Sequence, residues 1–151
     1  MITFEQAKAH HLPEIVAMLA NDPLGSARED ASEPLNPAYV AAFDAIVADK
    51  NQLLVVALLD RTVVGTLQLS FIPGLALTGA WRGQIESVRI RQDHRSSGLG
   101  QAMLEWAIDR CRERGCGIVQ LTTDKSRQDA HRLYERLGFE ATHEGYKLRF
   151  W

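Results

Sequence analysis

The stretch from Gly83 to Thr122 constrains the fold of this chain more than any other. A strand-like run, Gly83 to Arg91, meets a turn holding two glycines, Arg95-Ser96-Ser97-Gly98-Leu99-Gly100-Gln101. A long amphipathic helix opens at that turn. Leu99, Met103, Leu104, Trp106, Ala107, Ile108 and Cys111 cover a wide apolar arc, and Gln101, Glu105, Asp109, Arg112 and Glu113 cover the opposite one. Gly115 stands where a helix would be capped, and Ile118 to Thr122 is a second short strand. A helix between two strands of one sheet is a crossover, so these strands are expected to be parallel. Two glycines bare the backbone of the turn, and the positive end of the helix dipole points at the same spot. That is the physics of an anion cradle, most simply for a pyrophosphate.

The rest of the chain reads as a frame around this unit. Ile2 and Phe4 alternate with polar residues as in a short strand. Pro13 suits the first turn of a helix with Leu12, Ile15, Val16 and Leu19 as its stripe. A polar, proline-containing loop spans residues 22–36. Asn36-Pro37 then resembles an N-cap with proline at the first helical position, opening a helix through Tyr39, Val40, Phe43, Ile46 and Val47. Leu53 to Leu59 and Val63 to Phe71 are strands, and Asp60-Arg61 makes them a hairpin without the glycine such turns favour. Ser126 to Asp129 resembles a capping box for a last helix carrying Ala130, Leu133, Tyr134 and Leu137, stopped by Gly138. Tyr146, Leu148 and Phe150 alternate with Lys147 and Arg149 in a final extended segment. The order is β-α-α-β-β-β-α-β-α-β, an α/β chain expected to form one domain over residues 1–151.

Composition narrows the function classes. The chain has 151 residues, is 46% hydrophobic and 24% charged, and carries a net charge of −2. That balance disfavours a nucleic-acid-binding surface, which shows as basic excess. No apolar run approaches the roughly 18 residues that span a bilayer, so no membrane partner is expected. The first residues lack the basic and apolar regions of a signal peptide, and a cytoplasmic chain is expected. Cys111 and Cys116 have neither framework nor redox spacing and read as packing residues.

The glycine turn alone has several readings. A dinucleotide fingerprint needs glycine where Met103 stands, and a P-loop needs a Lys-Ser/Thr pair that does not follow. A third reading uses the whole C-terminal half. Val88-x-Ile90, then Arg95-x-x-Gly98-x-Gly100, then Ala130-x-x-x-Tyr134-x-x-Leu137-Gly138-Phe139 resembles the GCN5-related N-acetyltransferase (GNAT) family, with both motifs at the expected separation. The resemblance covers residues 83–140 by motif. It implies a mixed central sheet of six to seven strands with an antiparallel N-terminal part, a parallel pair at the cofactor cleft, and four helices on both faces.

The resemblance also implies roles. Acetyl-CoA would be the cosubstrate, with no metal. Backbone amides of Arg95, Ser96, Ser97, Gly98, Leu99, Gly100 and Gln101 would hold its pyrophosphate. The main chain from Val88 through Arg89 to Ile90 would pair with the pantetheine arm as an added strand, and an amide near Val88 would polarise the thioester carbonyl. Tyr134 would protonate the departing thiolate; read without the family, it is rather a core tyrosine with its hydroxyl satisfied. Relatives often carry Asn where Arg127 stands. Arg127 either reaches a cofactor phosphate or lies on a solvated helix start.

An amine acceptor must lose a proton before it attacks. Glu86 is the candidate base, since it shares strand parity with Val88 and Ile90 and would lie on an otherwise apolar face, where burial raises a carboxyl pKa. The alternative is a surface glutamate displaced by a bulge. His94 and His131 are less well placed, and His10, His11 and His143 have no ligand spacing. The loop acids Asp22, Glu29, Asp30 and Glu33, with Arg28, either attract a cationic amine or are simply solvated. Trp81, Phe71 and Tyr146 either line a pocket or pack in the core. The expected partners are a small-molecule or peptide amine and a second copy of the chain in a homodimer. The reaction would be direct transfer in a ternary complex. The same fold could also serve as a non-catalytic acyl-CoA-binding module.

Overall fold

The computed structural model describes residues 1–151. One sheet runs through it in the order β1 (Ile2–Gln6), β2 (Gln52–Leu59), β3 (Thr62–Ile72), β4 (Arg82–Ile90) and β5 (Ile118–Leu121). The first four strands pair antiparallel, and β4 and β5 run parallel, as the crossover requires. The helices are α1 (Leu12–Ala20), α2 (Pro37–Ala48), a single turn α3 (Ala76–Gly79), α4 (Leu99–Glu113) and α5 (Gln128–Arg136).

Both faces of the sheet are covered because its strands carry apolar side chains on both sides. Val56, Leu58 and Val63 bury against Leu12, Ile15 and Met18 of α1 and Phe43 of α2. Val55, Ala57, Leu67, Leu69 and Ile85 bury against Leu99, Met103, Leu104, Ala107 and Cys111 of α4. The local signals act where expected. Asn36 accepts a hydrogen bond from the Ala38 N–H at 2.9 Å, opening α2 with Pro37 in its first turn. Asp60 and Arg61 close the hairpin with φ of +49° and +71°, so the turn has its usual shape without glycine.

Three expectations are corrected. The sheet has five strands, not six or seven, because residues 139–151 pair with nothing in the chain. One segment cannot return as a hairpin, and its Tyr146, Leu148 and Phe150 are 82–92% exposed. The helices number five rather than four, the addition being α3, in which Leu77 and Thr78 adopt left-handed conformations that no periodic pattern signals. The capping box at Ser126 is absent. Arg127 is the N-cap and makes no side-chain cap, while the Ser126 N–H and hydroxyl both bond Asp124 Oδ1, at 2.9 and 2.6 Å.

Candidate active site

The sheet opens at one point. β5 pairs with β4 only from Arg82 to Ile85, so beyond Ile85 that edge of β4 has no neighbouring strand. A bulge lies at the same place. Thr66 faces Arg89 and Gln68 faces Glu86, so Leu67 alone opposes both Ser87 and Val88. Ser87 has φ of +54°, a strained value for serine.

The bulge overturns the parity argument for Glu86. An extra residue shifts every later side chain to the other face. Val88 and Ile90 therefore pack with Ile85 against the α4 cluster, whereas Glu86 is exposed and stands apart from that apolar face. It borders a polar row crossing the sheet, in which Gln68 and Ser70 donate to Gln52 at 3.1 and 2.8 Å and Gln120 donates to Gln84 at 2.7 Å. Glu86 therefore lacks the burial on which its candidacy as the base rested.

The glycine turn has the geometry of a cradle. Gly98 takes φ of +84° at the N-cap of α4, a conformation glycine adopts without strain, and Ser96 also turns left-handed at +64°. The N–H groups from Ser96 through Gln101 donate to no protein acceptor; the first amide to do so is that of Ala102, to Gly98 at 3.1 Å. Six unpaired donors at the positive end of a 15-residue helix can hold an anion. Arg95 itself donates to the carbonyls of Ile90 at 3.2 Å and Asn21 at 3.3 Å, tying the turn to β4 and to the end of α1.

Tyr134 projects from α5 into the edge of the α4 cluster and meets Phe139 edge-on at 6.1 Å. Its hydroxyl is bonded to no protein group, unlike a satisfied core tyrosine. Burial raises its pKa, and Arg127 and Arg89 nearby oppose that rise.

A charged knot joins these parts, made by residues too far apart in the chain for any local pattern to announce it. Asp22 Oδ2 lies 3.1 Å from an Arg127 nitrogen and 3.2 Å from Arg89 Nε, and Asp22 Oδ1 accepts the Gly25 N–H. Burial works against ionisation of Asp22. The Gly25 amide and Arg127 outweigh it, Arg89 adds to them, and the carboxyl sits below its usual range. Arg127 is thus engaged with Asp22 rather than free on a solvated helix start.

Behind the knot lies an open cleft of about 460 Å³ lined by Leu19, Ala27, Arg28, Glu29, Ser87, Arg89 and Trp151. Of the loop acids, Asp22 holds the arginines and Glu29 accepts the Tyr39 hydroxyl at 2.9 Å. Phe71 is buried in the core. Trp81 lies where β4 and β5 begin, its carbonyl accepting the Gly117 N–H, at the opposite end of these strands from the opening; Tyr146 is exposed. Thr123, just past β5, buries its hydroxyl without a partner. His11 accepts the Lys8 N–H and His131 lies against the Asp124 carbonyl, both local contacts.

Comparisons with known proteins agree with this architecture. The sequence profile of the Acetyltransferase (GNAT) family matches residues 16–139. The aminoalkylphosphonate N-acetyltransferase of Salmonella typhimurium is 31% identical over 106 residues, 70% of this chain and 68% of that one. The uncharacterised N-acetyltransferase YhdJ of Bacillus subtilis is 30% identical over 112 residues, 74% and 76% of the two chains. A crystal structure of a transcriptional regulator from Bacillus halodurans superposes with a TM-score of 0.97 at 47% identity, covering 99% of this chain and all of that one. No helix is long and apolar enough to cross a membrane. With an opened β4 edge, a bare helix N-terminus and matches to N-acetyltransferases over most of its length, the chain belongs to the GNAT family and is an acyltransferase.

Proposed function

We propose that this protein transfers the acetyl group of acetyl-CoA to a primary amine by direct attack in a ternary complex. The observation that carries the reading is the set of six unpaired amides from Ser96 to Gln101 beside the unpaired edge of β4. The amides hold the pyrophosphate, and Val88, Arg89 and Ile90 pair their backbone with the pantetheine arm. The thioester carbonyl then lies at the bulge, where a β4 amide polarises it. The neutral amine nitrogen attacks the carbonyl carbon, the carbon–sulfur bond breaks, Tyr134 gives its proton to the departing thiolate, and the acylated nitrogen sheds its second proton to solvent, from which Tyr134 is reprotonated. Glu86 takes the proton of the incoming ammonium from the solvent side, directly or through water held along the polar row.

The test is release of free CoA thiol across a panel of primary amines, with Tyr134→Phe alongside. Turnover is expected for the wild-type protein, with kcat lower by about 100-fold in the variant and acetyl-CoA binding unchanged. Tight acetyl-CoA binding without turnover of any amine would instead make the protein a non-catalytic binding module.

We also propose that the chain works as a homodimer. Residues 145–151 have the alternation of a strand and expose its apolar side chains, and the outer edge of β5 is unpaired. A second copy supplies what each lacks: an edge for the segment and a strand for the edge.

A further inference from the structure

Arg89 is unusual for its place. It sits on the cleft side of β4 with its side chain only 15% exposed, and few contacts satisfy it. Nη1 donates to the Val88 carbonyl at 3.0 Å. Nε is buried 3.2 Å from Asp22 Oδ2 at an angle that makes no hydrogen bond. Asp22 is shared with Arg127, so one carboxylate faces two guanidinium groups. A half-buried cation in surplus is costly to keep unless something else neutralises it. Burial and the neighbouring Arg127 pull the Arg89 pKa below its ordinary value, against the pull of Asp22. Arg28, exposed at the rim, adds a second positive group, and Glu29 beside it is already bonded to Tyr39.

Glu86 stands on the same side of β4, next to Ser87 of the cleft lining, since its partner Gln68 and the Arg89 partner Thr66 are two residues apart on β3. Roughly 7 Å of strand therefore separates the carboxylate-bearing residue from the guanidinium-bearing one. The polarity matches a molecule with an ammonium at one end and an oxyanion at the other. We infer that the acceptor is a primary amine bearing a carboxylate, phosphonate or phosphate a few bonds from its nitrogen, and that Arg89, helped by Arg28, is the specificity-determining residue that holds the oxyanion. This rests on the amine-acetylation reading above. The competing source of an oxyanion is acetyl-CoA itself, and the two are separable.

The experiment compares amines of similar length: β-alanine and 2-aminoethylphosphonate against β-alaninamide and propylamine. CoA thiol release gives kcat/KM for each. In parallel, calorimetry measures their binding to the protein loaded with CoA. The anionic amines are expected to lead by about 10- to 100-fold, the range of one charged hydrogen-bonded contact. Arg89→Gln should erase that lead while the acetyl-CoA KM stays within about two-fold. Arg89→Lys should keep part of it, and Arg28→Ala, at an exposed position, should lower it without a folding defect. Equal use of neutral and anionic amines overturns the inference, as does an Arg89→Gln effect confined to the acetyl-CoA KM. If no amine turns over, the acetylation reading fails instead. The calorimetry then decides, since equal binding of β-alanine and β-alaninamide removes the oxyanion site.

Discussion

Asp22 and Arg127, 105 residues apart in the chain, are joined by an ion pair of 3.1 Å that ties the loop after α1 to the start of α5. The same oxygen reaches Arg89 on β4. One carboxylate therefore pins three elements around the cleft, and its loss acts on stability as well as on the site.

Asp22→Asn should destabilise the fold by about 2 kcal/mol, since it leaves two guanidinium groups facing no carboxylate. The sign of its pH dependence follows from the lowered carboxyl pKa. The stabilisation is fully present above the unfolded-state value, about 3.9, and disappears as pH falls through the lower folded value. The wild-type and variant stabilities, from urea titrations at several pH values, should differ by a constant amount above about pH 5 and converge below about pH 4. A gap that stays constant to pH 2 would show that Asp22 acts through packing instead.

Gly98→Ala isolates the cradle. A Cβ at Gly98 would meet nothing within 4 Å, so the substitution carries only the strain of φ +84°. That strain is about 1 kcal/mol, and relieving it moves the amides of the turn. CoA affinity should fall by about 10-fold, while binding of pantetheine, which lacks the pyrophosphate, should hardly change. An equal loss for both ligands would place the pyrophosphate elsewhere.

Most of the frame was legible because its signals are local. The apolar arc from Leu99 to Cys111, the proline at 37 and the glycines at 98, 115 and 138 each fix a backbone conformation within a few residues. What was not legible depends on contacts between distant residues. Parity put Glu86 with Val88 and Ile90, and the bulge at Ser87 undid it. Such a bulge arises from pairing with Leu67 of another strand and leaves no mark in the local pattern. Asp22 looked like one acid in a charged loop because both its arginines lie far along the chain. Tyr146, Leu148 and Phe150 alternate as a strand would, but the segment forms none, because no strand in this chain pairs with it.

The self-association reading predicts a concentration-independent dimer by sedimentation at micromolar protein. Replacing Tyr146, Leu148 and Phe150 together by Ser should give a monomer, since it removes the apolar side of the pairing strand and leaves the five-stranded sheet intact. Thermal stability of that monomer should become independent of protein concentration. A dimer that survives the triple substitution would rule out the terminal segment as the contact.

The approach of α4 to β4 gives a test of the core. A Cβ built on Gly83 would stand 2.2 Å from Cys111 Sγ and 3.2 Å from Cys111 Cβ, so alanine fits only if α4 moves away. Overpacking of this kind costs about 1–3 kcal/mol. Gly83→Ala should therefore lower stability by about 2 kcal/mol, and Cys111→Ala in the same chain should restore part of it, because the sulfur is the closer obstacle. The coupling between the two substitutions should be about 1 kcal/mol or more. A second readout comes from the thiol. Burial, with Cys116 adding to it, pushes the Cys111 pKa up to about 12, so it should resist thiol reagents at neutral pH in the wild-type protein. In Gly83→Ala the displaced helix should expose it, and a disulfide reagent should modify Cys111 at a measurable rate. Unchanged protection together with additive stabilities would mean that β4 yields rather than α4. In that case the bulge and the cleft would shift with the strand, and acetyl-CoA affinity would drop.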